Sequence, residues 1–430
     1  MSLLGKLGEI IEKGRDEYEN AEAGDFRITE DAGSTENILA RGDNLSFMKY
    51  LLETKDMKGK IQTIYVDPPF YTKASYQGVF KITEDLPAIK PEAYDDKWTE
   101  GMEEYLQMLC SRIFMMKELL ADDGLFWIHL DWHVVHYVKV IMDEIFGEKN
   151  FINEIIWQYK SGGSSKKHFA RKHDTILLYS KNSKYKLNIG KEKSYNREYK
   201  PYRFKGVEEF CDDLGWYTMV NQKDIWQIDM VGRTSRERTG YATQKPVALL
   251  KRIIKSSTDE GDICADFFCG AGGLAAAADD MDRKWICCDL GSLAVGVSQK
   301  RFCGSDVQYS LMTEGYETER GADFKATVRK LDDGLTAVSI DSYRIDTEKL
   351  PVSDSEKEKL FVTDQLQLID YWSIDTAYNG AAHCAQIAFA KGDERIETST
   401  VTDLPVMKEV SIRIVDVFGN SIQKVIETGI

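Results

Sequence analysis

Continuous apolar runs and runs spaced three to four residues apart take turns along residues 37–151. Ile61, Gln62, Thr63, Ile64, Tyr65 and Val66 are β-prone and largely apolar, and predict a buried strand. A helix is predicted near 45–52, a second over 102–120, and a further strand at 125–129. Such alternation predicts a parallel α/β sheet. Residues 71–98 form a stretch that is long for a compact domain and is expected to be a mobile lid.

Further along, Val247, Leu250, Ile253 and Ile254 make one apolar stripe behind Pro246, which suits the first position of a helix. Ile263 to Asp266, the glycine turn that follows and the small residues 274–278 read as strand, turn and helix. Trp285 to Asp289 reads as a second strand ending in an acid. Beyond about residue 302 the runs shorten and alternate, at 325–328, 337–340, 385–390 and 410–417, which predicts antiparallel strands. Residues 1–35 are acidic, with Leu4, Leu7, Ile10 and Ile11 on one amphipathic helix before a tether. The expected units are therefore 1–35, an α/β domain at 36–305 carrying an insertion at 157–224, and a smaller β-rich domain at 306–430.

Composition narrows the function. The 43% hydrophobic and 30% charged shares describe a globular protein, and no stretch approaches the ~18 uncharged apolar residues of a membrane span. No membrane association and a cytoplasmic location are expected. The eight cysteines include no Cys-x-x-Cys pair and read as reduced, buried thiols. A net charge of −15 argues against nonspecific nucleic-acid binding over the whole surface. The charge is unevenly spread, however. From 160 to 205 fourteen bases, among them Lys166, Lys167, Arg171 and Lys172, face three acids and are interleaved with tyrosines, a surface that suits a nucleic-acid backbone. The run Ser161-Gly162-Gly163-Ser164-Ser165 marks the entry to this insertion.

The chemistry gathers at three places. Asp67-Pro68-Pro69-Phe70 puts a carboxylate, a stiff turn with outward carbonyls and an aromatic ring at the end of a strand. A flat amine donor could meet Asp67 and the Pro68 carbonyl while its ring stacks on Phe70, although Asp-Pro is also an ordinary turn starter. Gly270 and Gly272 allow close approach of backbone to a cofactor, and Asp289 stands where an acid meets ribose hydroxyls. Ala275 replaces the third glycine of the dinucleotide fingerprint, so a nucleoside cofactor without a pyrophosphate is expected. Thr243 and Lys245 lie at the mouth of the helix that starts at Pro246. His129, His133 and His136 could meet around zinc on a helix face, but His129 is expected to end the strand at 125–129, and no metal is assigned.

Together the elements Asp67 to Phe70, Thr243 to Pro246 and Phe268 to Gly272, in that order, resemble the β-class DNA amino-methyltransferases, including the modification (Mod) subunits of type III restriction systems. Gly42-Asp43-Asn44-Leu45, Ile225-Trp226 and the phrase from Ile414 to Asn420 add to the resemblance. It implies a permuted Rossmann-like class I methyltransferase sheet in which 36–305 binds S-adenosylmethionine and 157–224 recognises the target. It further implies a catalytic loop of Asp67, Pro68, Pro69 and Phe70. Asp266, Phe268, Gly270 and Gly272 would shape the methionine end of the cofactor, Asp289 its ribose, Thr243 and Lys245 its carboxylate, and Asp43 the adenosine pocket. Gly273 and Leu274 stand where relatives often carry two threonines.

The implied activity is N6 methylation of a flipped adenine in double-stranded DNA. The alternatives are cytosine N4, whose enzymes usually carry Ser in place of Asp67, and a non-catalytic recognition subunit. A restriction subunit and a second copy of the chain are the further partners implied.

Overall fold

The structure is a computed structural model describing residues 2–82, 88–163, 165–305, 307–315, 321–332, 334–350, 352–362, 364–392 and 395–428. Nine strands run through its main sheet: β1 (Phe26–Arg41), β2 (Ile61–Val66), β3 (Leu120–Leu130), β4 (Phe151–Gln158), β5 (His173–Ser180), β6 (Ile225–Gln227), β7 (Ile263–Asp266), β8 (Lys284–Asp289) and β9 (Tyr309–Glu314). Their spatial order is β6-β4-β5-β3-β2-β7-β8-β1-β9, and the short strand His383–Cys384 pairs with β1 as a tenth member. The neighbours β3, β2, β7, β8 and the end of β1 are parallel, whereas β5 runs against both β3 and β4. The catalytic-type strand β2 precedes its neighbour β7 in the chain but lies beside it, which is the permuted order.

Alternation along each strand sorts the core into two layers. Ile64, Val66, Phe126 and Ile128 point into one layer, with α1 (Leu7–Glu19), α2 (Asn44–Glu53), α3 (Met102–Leu119) and α4 (Val135–Phe146). Tyr65, Leu125 and Trp127 point into the other, with α5 (Val247–Ser257), α6 (Gly273–Asp279) and α7 (Ser292–Cys303). Strands covered on both faces have no solvated side, which is why they read as unbroken apolar runs.

Several boundaries differ from the sequence expectation. Residues 26–33 are not a tether, because they pair with β9 inside the main sheet. By the same pairing, 309–314 belongs to the α/β sheet, and the β-rich region starts with the strand Ala322–Lys330. That region holds a four-stranded sheet, Ile387–Ala390, Ile369–Asp375, Glu409–Asp416 and Ser421–Glu427, and a three-stranded one, Ala322–Lys330, Thr336–Ile345 and Ser399–Thr402. Their shared core also takes in Tyr241, Ala271, Leu293 and Val297 from the α/β part, so the two regions are packed as one body there. A buried ion pair crosses the join: Arg413 meets Glu30 at 3.2 Å, and Glu30 also accepts from Tyr371 (2.8 Å) and Gln299 (2.9 Å). Cys211 and Cys384 are exposed, against the expectation that the thiols are buried.

The basic insertion is divided by the direction of β5. Residues 159–172 leave β4 and enter β5 at the carboxyl edge of the parallel strands, whereas 181–224 leave β5 at the opposite edge. There Lys186 pairs with Asp259 (2.6 Å) and Asp262 (2.8 Å), just before β7, and a small sheet forms from Lys191–Tyr195, Phe210–Asp212 and Gly215–Asn221. The expected 157–224 unit is therefore two segments on opposite edges. Ser164 lies outside the described residues.

His383 offers a stability test. It is fully buried between the Ser373 and Ser411 hydroxyls, each at 2.9 Å, and burial with Arg413 nearby pushes its imidazole down to about 3. The folded state therefore holds it neutral, and unfolding releases a group that protonates near pH 6.5. Because the folded value is the lower one, its stabilisation is present above about pH 6.5 and is lost as pH falls toward 3, at up to roughly 1.4 kcal/mol per pH unit. Urea unfolding at pH 7.5, 6 and 5 should show this slope, and His383→Gln should lack it.

Candidate active site

Strands β2 and β7 are adjacent and parallel, with Cys264 opposite Thr63 and Ala265 opposite Ile64, so Asp266 stands level with Tyr65 and Asp67 emerges two residues further on, at the carboxyl edge. This is where open α/β sheets take their ligands. Asp67 is 16% exposed, and its Oδ2 pairs with the Lys245 ammonium. Its Oδ1 is buried with no hydrogen-bond partner among the described residues. A buried acceptor left open costs about 1–3 kcal/mol, so a donor brought to this oxygen would be held favourably. Lys245 also lies 5.5 Å over the Phe70 ring, which places Phe70 beside the same carboxylate.

Around this pair the glycine turn forms a cradle. Gly270 and Gly272 have φ of 50° and 65°, and a Cβ on Gly272 would sit 2.7 Å from Ser298 Oγ and 2.9 Å from Phe302. Asp266 is buried and accepts from Phe268 N (3.0 Å); burial, then the nearby Asp67 and Asp289, push its carboxyl well up. It shapes the turn rather than offering a free charge. Asp289 accepts from Gly270 N (2.8 Å) and Gly291 N (2.9 Å), and burial raises its carboxyl, so the acid ties the turn to the end of β8. Thr243, at φ 55°, approaches Tyr94 through its hydroxyl (3.3 Å), and its carbonyl accepts from Lys245 (3.3 Å). Asp67, Lys245 and Thr243 are thus joined by direct bonds, and Asp289 joins the glycine turn to the end of β8.

Asp43 is placed differently. It caps α2, accepting from Leu45 N (2.9 Å) and Ser46 N (3.0 Å), and pairs with Arg112 at 2.9 Å. One residue before it, Gly42 N bonds to Asp289 O (3.1 Å), which brings the cap to the end of β8. Within the segment 71–98, Ser75–Gln77 pairs with Glu92–Asp95, and buried Asp96 gathers Tyr71 N (3.1 Å), Thr72 N (2.6 Å) and Trp98 Nε1 (2.9 Å). Its residues 83–87 lie outside the described residues. Val79 N bonds to Gly240 O (2.8 Å), tying it to the loop before Lys245.

Lys166, Lys167 and Arg171 are exposed on the 159–172 loop, at the carboxyl edge of the parallel strands. Arg171 covers the exposed Trp132 ring at 3.8 Å, while Lys172 turns inward to the carbonyls of Ser161, Gly162 and Gly163 (2.6–3.1 Å). Because β6 is parallel to β4, residues 228–246 reach the same edge, and Arg233, Arg236 and Arg238 are exposed there. Sequence reasoning missed these three, although bases directly ahead of the Thr-x-Lys-Pro element were a visible signal. It also missed the group behind Asp67: His129, Tyr65 and Asp174.

Residues 61–300 match the family model described as DNA methylase, for N6 and N4 methyltransferases. The chain thus belongs to this DNA methylase family, whose members are S-adenosylmethionine-dependent DNA methyltransferases. Among similar proteins, Type II methyltransferase M.EcaI of Enterobacter cloacae is 27% identical over 69% of this chain and 76% of its own length. The EcoP15I Mod subunit, of a type III restriction-modification enzyme of Escherichia coli, is 27% identical over 38% of this chain. That alignment spans 28% of the Mod subunit's length. A solved cytosine-N4-specific PvuII DNA methyltransferase is 16% identical, with a TM-score of 0.45, over 66% of this chain and 92% of that one.

Proposed function

We propose that this protein moves the methyl group of S-adenosylmethionine to the N6 amine of an adenine flipped out of double-stranded DNA. The observation that carries the reading is the unpartnered Asp67 Oδ1 beside Phe70 and the glycine cradle. The exocyclic amine is a poor nucleophile because its lone pair is delocalised into the ring. Asp67 Oδ1 and the Pro68 carbonyl accept its two N–H groups and let the nitrogen become pyramidal, while Phe70 stacks on the ring. A stacked base cannot reach this corner, so it must leave the helix.

The residues present fit S-adenosylmethionine: Gly270 and Gly272 keep the turn bare, Asp289 at the end of β8 would hold the ribose, and Thr243 with Lys245 would hold the carboxylate. When bound, the cofactor supplies an electrophilic methyl on a sulfonium; the chain's part is to bind, align and exclude water. An aspartate rather than a serine at position 67 favours adenine over cytosine N4. Methylated DNA digested to nucleosides and analysed by mass should contain N6-methyladenine; N4-methylcytosine as sole product overturns the choice of base. The Mod names among the relatives support a restriction subunit as partner; a cytoplasmic site of action belongs to the same reading. A homodimer also belongs to this reading; light scattering with and without DNA tests it.

The duplex is read along the carboxyl edge, where Lys166, Lys167, Arg171 and the arginines at 233, 236 and 238 stand. Reversing Lys166, Lys167, Arg171 and Lys172 to glutamate should weaken DNA binding by on the order of 10²-fold at moderate salt. The salt slope should flatten by about 0.9 for each phosphate that is no longer neutralised. Fluorescence anisotropy across a salt series measures both, and an unchanged slope puts the duplex on another face.

A further inference from the structure

The arm at 159–172 carries a side chain for which the fold has no use. Phe169 is 99% exposed, the most exposed large apolar side chain among the described residues. A single apolar group at a surface is ordinary. What sets this one apart is its mounting and its company.

The arm is tied down on both sides of Phe169. At its root Tyr159 donates to Asp174 Oδ1 (3.1 Å), and Lys172 Nζ gathers the carbonyls of Ser161 (2.6 Å), Gly162 (2.8 Å) and Gly163 (3.1 Å), which draws the two ends together. Nearer the tip, Ser165 Oγ accepts from Lys167 N (3.2 Å) and His168 N (3.3 Å), and His168 Nδ1 donates to the Phe169 carbonyl (2.9 Å). Just past Phe169, Arg171 lies 3.8 Å over the ring of Trp132, in the turn that joins β3 to α4. Strand β3 runs beside β2 with Ile128 opposite Val66, so this latch follows shortly after His129, whose ring packs on Phe70 at 5.8 Å. The phenyl ring thus stands in water on an arm latched to the strand end beside Asp67.

Charge points the same way. Residues 159–172 hold Lys160, Lys166, Lys167, Arg171 and Lys172 and no Asp or Glu, in a chain of net charge −15. Lys166 and Lys167, just ahead of the ring, are exposed. Cations so placed suit phosphates, and phosphates flank every base step. An apolar ring carried among them has the form of a wedge that enters a base stack. The reaction calls for one, because a base that turns out of the helix leaves a gap and an unstacked partner.

We infer that Phe169 enters the duplex at the target position and fills the space that the base leaves, with Lys166 and Lys167 on the adjoining phosphates. The inference rests on the amino-methyltransferase reading and adds to it the group that holds the base out. Phe169 touches neither the amine nor the cofactor, so it is a positioning residue. Its ring restores stacking to the orphaned partner base and so favours the flipped state over the closed one.

The test is single-turnover methylation by the parent protein, Phe169→Ala and Phe169→Leu of a short duplex carrying the sequence that the parent methylates in host DNA. The target base stands either opposite its partner or opposite an abasic position. On the paired duplex Phe169→Ala should be slower on the order of 10²-fold, the scale of unstacking and unpairing one base, while Phe169→Leu, which keeps an apolar wedge, should recover most of the rate. Opposite an abasic position there is no pair to break, and the Phe169→Ala rate should return to within about threefold of the parent's. A structural role, or a contact elsewhere on the DNA, would slow both duplexes alike, and that result overturns the inference. So does a Phe169→Ala rate within about threefold of the parent's on the paired duplex. A ring wholly in solvent supports no core, so its removal leaves the fold intact. A parent protein that methylates no DNA sinks the underlying reading as well, whereas an active parent with an indifferent Phe169→Ala strikes Phe169 alone.

Discussion

Asp67→Ala is expected to lower methyl transfer on the order of 10³-fold while S-adenosylmethionine binds within about threefold of normal. The size follows from the geometry: one preorganised acceptor of an active site is typically worth 10²–10³ in rate. In the proposed transfer Asp67 would serve as acceptor for the amine and as first stop for its proton. Binding of the cofactor should survive because the cradle stands on β7, β8 and the Thr243–Lys245 loop. With its partner removed, the Lys245 ammonium is freer to meet the cofactor's carboxylate, so affinity should hold or rise slightly. Asp67→Asn separates the two duties, since it keeps the shape and one acceptor but cannot hold a proton. Isothermal titration and single-turnover rates on the same preparations decide the point, and near-normal turnover in either variant removes Asp67 from the chemistry.

Gly419→Ala is expected to lower stability by roughly 3 kcal/mol, the class of effect reserved for a forced backbone shift. The residue has φ 85°, and a Cβ there would lie 2.4 Å from Leu293 N and 2.5 Å from Leu293 Cα. Backbone cannot swing aside as a side chain can. The turn that carries Gly419 is organised by Asp416, which accepts from Phe418 N (2.9 Å), Asn420 N (2.9 Å) and Tyr343 (2.7 Å), so neither partner of the clash is loose. Leu293 belongs to the first turn of α7, and Gly291, just before it, bonds to Asp289. The shift should therefore also weaken S-adenosylmethionine binding. Thermal unfolding with and without cofactor reads both effects, and a melting temperature within a degree of the parent's would show that the turn can yield.

Much of this architecture was legible because both faces of the main strands are covered. Ile61–Val66 is buried at every position, and a period-independent apolar run is a strong strand signal when a carboxylate and prolines end it. The helix after Pro246 and the Gly270–Gly272 turn were equally clear. Pairing was not. Nothing local in residues 26–33 says that they reach β9 across nearly three hundred residues, and a strand of that kind reads as a tether. Order in 71–98 depends on Asp96, whose role is visible only once Tyr71, Thr72 and Trp98 converge on it. The group behind Asp67 was hidden for a similar reason. His129 and Tyr65 look like core residues of two separate strands until β2 and β3 are laid side by side.

One reversal of strand direction has a lasting effect. Because β5 runs backwards, the small sheet of 191–221 hangs from the floor of the molecule, while the arm at 159–172 rises beside the reacting corner. The small sheet therefore stands at the opposite edge of the main sheet from Asp67, Phe70 and Lys245. One reversed strand thus sends two halves of a basic stretch to opposite storeys of the molecule.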